Sequence, residues 1–161
     1  MSRRPEREGA RLETFFERNR EALAAFSAMS GAIGRRADYV QGGGGNTSVK
    51  LDDGEMAIKA SGYHLLDVRP DAGYAVLDSA GLRAFYCSHG PEDFEDVEAA
   101  GALEAKRAAR AVEGLAPLRP SVEAGFHSLL SRFVAHSHSV YGNLAACCGE
   151  AEAVTREALS G

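Results

Sequence analysis

Two β-prone runs, Ser48-Val49-Lys50-Leu51 and Met56-Ala57-Ile58-Lys59, flank Asp52-Asp53-Gly54-Glu55, and this stretch does most to limit the fold. Asp-Gly supplies the backbone that a tight turn needs, so the spacing predicts an antiparallel hairpin. Upstream, Leu12, Phe15, Phe16, Leu23, Phe26, Met29 and Ile33 recur at steps of three and four, with Glu13, Arg18, Arg20 and Glu21 between them. That periodicity predicts an amphipathic helix, ended by Gly31 and Gly34. Tyr39-Val40-Gln41 is short and β-prone, and Tyr74-Ala75-Val76-Leu77 reads as a further strand before a polar loop around Ser88-His89-Gly90-Pro91. Glu98 to Val112 is an alanine-rich helix former closed by Gly114 and Pro117, and Val122 to Leu130 reads as a second, short helix. Phe133 to Ser139 is strand-like, and Val140 to Cys147 and Ala151 to Leu159 read as helical. Helices at both ends around hairpins predict an α/β layered domain whose sheet is not built from repeating βαβ units.

The 161 residues fit one domain, residues 1–161, with 1–10 expected to be disordered. Hydrophobic residues at 45% and charged residues at 25% allow a sizeable core and argue against disorder elsewhere. A net charge of −5 leaves no basic footprint, which excludes nucleic acid as the expected partner. Met1 to Glu13 has no apolar leader core, and no segment approaches the roughly 20 apolar residues of a membrane span. Three cysteines, two of them adjacent at Cys147 and Cys148, give no disulfide framework. The expectation is a cytoplasmic protein without a membrane partner.

Phe133-Val134-Ala135-His136-Ser137-His138-Ser139 carries the first chemical signal. Side chains alternate along a strand, so His136 and His138 share a face, as two imidazoles binding one metal must. Catalytic zinc commonly takes three protein ligands, and His127, His89, His64, Cys147 and Cys148 are all open as the third. Glu123 sits at the start of the short helix with Ser121 at its expected N-cap; the helix dipole alone accounts for a carboxylate there, yet the helix start can fold back near the metal. His127, four residues on, lies on the same helix face, where packing or orienting Glu123 explains it as well as ligation does. Gln41-Gly42-Gly43-Gly44-Gly45-Asn46-Thr47-Ser48 lets backbone N–H groups converge on an anion, or is a flexible connection with no ligand. Ser61-Gly62 taken alone reads as an ordinary turn.

Taken in order, Gly-Gly-Asn-Thr-Ser, Ala-Ser-Gly, Arg-Pro-Ser-Val-Glu-Ala-Gly-Phe-His and Ala-His-Ser-His-Ser-Val-Tyr resemble the class II aldolase and adducin family from about Arg20 onward. The resemblance implies a three-layer α/β/α fold around a largely antiparallel sheet, assembled as a homo-oligomer, commonly a tetramer. It further implies a lyase that uses zinc or another divalent metal to cleave a small ketose phosphate by retro-aldol chemistry. Gly45, Asn46, Ser61, Gly62 and Ser121 match the family's phosphate-binding positions, Glu123 its acid/base, and His136 and His138 two of its metal ligands. A sugar-phosphate dehydratase or epimerase fits the same residues, and a non-catalytic, adducin-like binding or assembly domain is the alternative of another class. Glu123, His136 and His138 together favour enzymatic ancestry, because an interaction module has no physical need for all three. Two departures stand out. Val122 replaces a second serine, and no histidine follows His138 where the family has its third zinc ligand, so the family's C-terminal portion is expected to be missing and the third ligand stays open.

Overall fold

In the computed structural model, which describes residues 14–160, the hairpin turn has Gly54 at φ +80°. It joins β1 (Asn46–Lys50) to β2 (Glu55–Lys59), with Val49 opposite Ala57. β3 (Tyr74–Asp78), β4 (Ala109–Arg110) and β5 (Phe133–His136) complete a sheet in the order β4-β3-β2-β1-β5, antiparallel at every pairing. β1 is therefore held on both sides, by β2 and by β5.

Two helices precede the sheet, α1 (Phe15–Arg18) and α2 (Arg20–Gly34), and α3 (Ser79–Ser88), α4 (Val97–Ala108) and α5 (Ala124–Leu129) lie between its later strands. Strand alternation divides the buried side chains between two cores. Val49, Ala57, Tyr74 and Val76 meet Leu23 and Phe26 of α2 on one face. Met56, Ile58 and Leu77 meet Leu82 of α3, Ala105 and Ala108 of α4 and Ala124 of α5 on the other. Three layers result, the α/β/α arrangement that the family resemblance implied. α6 (Val140–Cys147) and α7 (Ala151–Leu159) follow β5 and pack on each other without a buried residue.

Several expected elements differ, each for a local reason. The first amphipathic stretch is broken at Asn19, whose Nδ2 donates to the Phe15 carbonyl at 3.0 Å and ends α1. Gly31 lies inside α2; Gly34 is its last residue, and a Cβ there would stand 2.9 Å from Leu65 Cβ, so the close approach of the next segment requires glycine. Tyr39-Val40-Gln41 is not a strand, since the Arg36 carbonyl accepts from both Tyr39 and Val40 N–H, at 2.9 and 3.0 Å, and curls the chain. α3 replaces the first part of the expected loop, capped by Asp78 Oδ1, which accepts from Gly81 N–H at 2.8 Å. α4 stops at Ala108 instead of Val112 because Ala109 and Arg110 pair with β3, where Arg110 also meets Asp78. The predicted disorder of residues 1–10, and Leu12 and Glu13 of the expected helix, lie outside the described residues.

Candidate metal and anion site

One face of β1 assembles the site. Asn46, Ser48 and Lys50 alternate toward α5, while Thr47 and Val49 face α2, where Thr47 Oγ1 shares a 2.7 Å hydrogen bond with Ser30 Oγ. Asn46 Nδ2 donates to Glu123 Oε2 at 2.7 Å, and Asn46 Oδ1 accepts from Thr47 N–H at 2.8 Å, which fixes the amide's orientation. Ser48 Oγ hydrogen-bonds His127 Nδ1 at 2.8 Å. Lys50 Nζ donates to the carbonyls of His127, Leu130 and Ser131 at 2.7 to 2.8 Å. These carbonyls come from the end of α5 and the link into β5, so the lysine ties Glu123, His127 and the histidine strand to one support.

β5 brings its first histidine to the same place. His136 is the register partner of Asn46, which puts both on one side of the sheet, and His136 Nδ1 stands 3.1 Å from Glu123 Oε1. That contact is close but not aligned as a hydrogen bond, so His136 Nδ1 is buried without a hydrogen-bond partner, as is His127 Nε2. Glu123, His127 and His136 each offer one ligand atom, all within 4.8 Å of one another. His127 is fully buried, and that burial pulls its pKa down to about 4, with His136 and Lys50 adding to the fall and Glu123 opposing it. A neutral imidazole with an unsatisfied nitrogen is the form in which histidine binds metal.

The donor set fits a divalent cation. Leaving a buried nitrogen unsatisfied costs about 1–3 kcal/mol, and two such atoms beside a carboxylate are what a cation would relieve. Among the described residues His138 stands outside this compact group. The strand ends at His136, and His138 is exposed in the link to α6 with its ring 5.0 Å from that of His136. A Cβ at Gly44 would come 2.8 Å from His138 Nδ1, so this glycine makes room for the ring.

The other expected positions divide between two places. Asn46 and Ser121 both turn to Glu123, Ser121 donating to Oε2 at 3.3 Å. Ser121 is not the N-cap of α5; Glu123 occupies that position, and Ser121 Oγ accepts from the Glu123 N–H instead. Gly45 enters β1 at φ +71°, where a Cβ would meet Val40 Cγ1 at 2.5 Å and the His136 carbonyl at 3.0 Å. Ser61 accepts from Arg119 Nη2 at 2.5 Å, and Gly62 follows at φ +83° with open space above it.

Lys59, Arg119 and Lys50 were not among the residues expected from sequence, and Ser48 entered only as the end of the glycine-rich run. Lys59 is only 3% exposed, with Nζ donating to the Tyr63 carbonyl at 2.8 Å and reaching the Gly43 carbonyl at 3.5 Å. Its burial pushes the amine's pKa down, against the opposing charges of Glu123 and Asp67. A lysine closing a buried strand just before Ala-Ser-Gly was a readable sign, since such a charge needs partners. His64 holds the same loop, its Nδ1 2.7 Å from the Gly42 carbonyl. No helix among the described residues is long and apolar enough to cross a membrane.

Comparison with known proteins agrees with the fold. The N-terminal class II aldolase domain of a conserved Thermoplasma acidophilum protein superposes with a TM-score of 0.66 at 20% identity, covering 98% of this chain and 70% of that one. YgbL from Klebsiella pneumoniae, provisionally assigned as an aldolase/epimerase/decarboxylase, gives 0.54 at 16% identity over 81% of this chain and 50% of its own. YgbL from Escherichia coli gives 0.52 at 17% identity over the same shares. No curated protein matches the sequence. The sequence profile described as Class II Aldolase and Adducin N-terminal domain matches residues 26–160, so the chain belongs to the class II aldolase and adducin family.

Proposed function

We propose that this protein is a metal-dependent lyase that cleaves a small ketose phosphate by retro-aldol chemistry, with Glu123 as the acid/base. The observation that carries the reading is the closeness of Glu123, His127 and His136, each offering a ligand atom within 4.8 Å of the others. His136 and His127 would hold the metal, zinc in the first instance, and His138, whose ring lies 5.0 Å from that of His136, would turn in from the link to α6 as the further nitrogen. The bound metal contributes a Lewis acid against the negative charge that develops on oxygen as the carbon–carbon bond breaks.

The chain's own residues do the rest. Asn46 and Ser121 hold Oε2 of Glu123, leaving Oε1 turned to His136 and free to exchange a proton. Glu123 takes the proton of the hydroxyl that becomes the aldehyde carbonyl as the carbon–carbon bond breaks and, after the aldehyde departs, delivers it to the carbon of the three-carbon phosphate fragment; both transfers reverse in the synthetic direction. Ser61 and Gly62 bind the phosphate at the turn after β2, and Lys59 adds a positive charge behind the glycine loop. The buried faces of β1 and α5 keep these groups fixed before substrate arrives.

The test begins with metal. Protein prepared with zinc should hold it stoichiometrically and lose it in His136→Ala. C5 and C6 ketose 1-phosphates are then screened for release of dihydroxyacetone phosphate. Full turnover by Glu123→Gln would sink the assigned role, and absence of both metal and cleavage would leave the adducin-like reading. Interconversion of epimers without cleavage would mark an epimerase built on the same groups.

A further inference from the structure

The Val122 side chain offers no donor to an anion, yet it stands 72% exposed beside Ser121 and lines a cavity of about 530 Å³ with Ser121 and Arg119. The far wall of that cavity is α4, at Ala102 and Ala105. Arg119 is fastened there twice. Its Nη2 donates to Ser61 Oγ at 2.5 Å, and its carbonyl accepts from Ser61 N–H at 3.0 Å. Gly62, next in the chain, has no heavy atom within 4 Å of where a Cβ would stand, so the ground beside the guanidinium is clear.

Charge sets Arg119 apart from many of its kind. Arg18, Arg36, Arg110 and Arg132 meet Asp53, Asp38, Asp78 and Asp52. Arg119 has no carboxylate within ion-pair distance among the described residues. An exposed, tethered guanidinium with donors to spare, next to a serine hydroxyl and an open glycine, matches the fork geometry that binds a phosphate oxygen pair.

We propose that Arg119 recognises the phosphate of the substrate, its guanidinium supplying the donors that Val122 cannot. This rests on the lyase reading only in calling the anion a substrate group. Specificity then lies in a two-pronged cation: a phosphate dianion gains more from it than a carboxylate does, and a neutral sugar gains nothing.

The test measures binding of inorganic phosphate, with acetate as the carboxylate control, to metal-free protein by calorimetry. Wild-type protein is expected to bind phosphate in preference to acetate, and Arg119→Gln to weaken phosphate binding by about tenfold or more, one charge-assisted contact. Arg119→Lys, which keeps the charge without the fork, should fall between the two and serves if the glutamine variant does not fold. Phosphate bound equally by wild type and both variants, no phosphate binding by wild type, or acetate bound as tightly as phosphate would each overturn the proposal. In turnover, Arg119→Gln should raise KM for a phosphorylated substrate about tenfold with kcat nearly unchanged. Phosphate held through Arg119 by a protein that cleaves no ketose phosphate sinks the lyase reading alone; cleavage with KM unmoved in Arg119→Gln sinks this proposal alone.

Discussion

Asn46 Nδ2 donates to Glu123 Oε2 at 2.7 Å, joining residues 77 apart in sequence, and this bond is the link between the strand that follows the glycine loop and the carboxylate beside His136. Thr47 N–H occupies the other end of the same amide, so the donor can face only the carboxylate. The position therefore acts on Glu123 by orientation and by charge.

Asn46→Asp removes the donor and places a second carboxylate against Glu123, so like-charge repulsion turns the acid/base out of its position. On the lyase reading, turnover should drop by roughly 10²-fold, the equivalent of about 2–3 kcal/mol. Turnover equal to that of the wild type would mean that the Asn46 bond does not orient Glu123.

Lys50→Met leaves the stem packed and removes three donors from the carbonyls of His127, Leu130 and Ser131. Hydrogen bonds to a charged group are worth about 1.5–3 kcal/mol each, but three on one amine are not additive, so a loss of about 2–3 kcal/mol is expected. Urea unfolding would show a lower midpoint at unchanged slope, and metal affinity should weaken because α5 and β5 lose their common support.

His127 gives the metal-free protein a pH dependence of definite sign. Its pKa is lowered from 6.5 to about 4 in the folded state, so the unfolded chain binds the proton more readily. Its contribution is complete above pH 6.5 and is lost as pH falls toward 4, at most about 3 kcal/mol at 1.36 kcal/mol per pH unit. Thermal unfolding of EDTA-treated protein should lose stability across that window, and His127→Gln should be less sensitive to pH there. Parallel curves for the two proteins would refute the assignment.

Gly45 and Gly43 provide a matched pair. Gly45→Ala meets Val40 Cγ1 and the His136 carbonyl on a backbone of φ +71°, whereas nothing stands within 4 Å of a Cβ at Gly43. Gly45→Ala should destabilise by about 2–3 kcal/mol and Gly43→Ala by under about 0.5 kcal/mol. Denaturant midpoints would separate them, and equal effects would show that the glycine run is permissive throughout.

Sequence alone determined whatever depends on neighbours along the chain. The Asp-Gly hairpin, the spacing of α6 and α7 and the pairing of His136 with a strand follow from turn chemistry and periodicity, which act over a few residues. Even there local competition shifted the result, as at Asn19, whose side chain takes the Phe15 carbonyl, and at Ala109, which leaves its helix for the edge of the sheet. Only the tertiary structure decided which distant side chains share a site. His136 and His138 read as a pair, yet the strand ends between them and the compact group is Glu123, His127 and His136. Lys50 and Arg119 look like ordinary surface cations in sequence, because what a charge does is set by the groups brought within a few ångströms of it, and those come from other strands and helices.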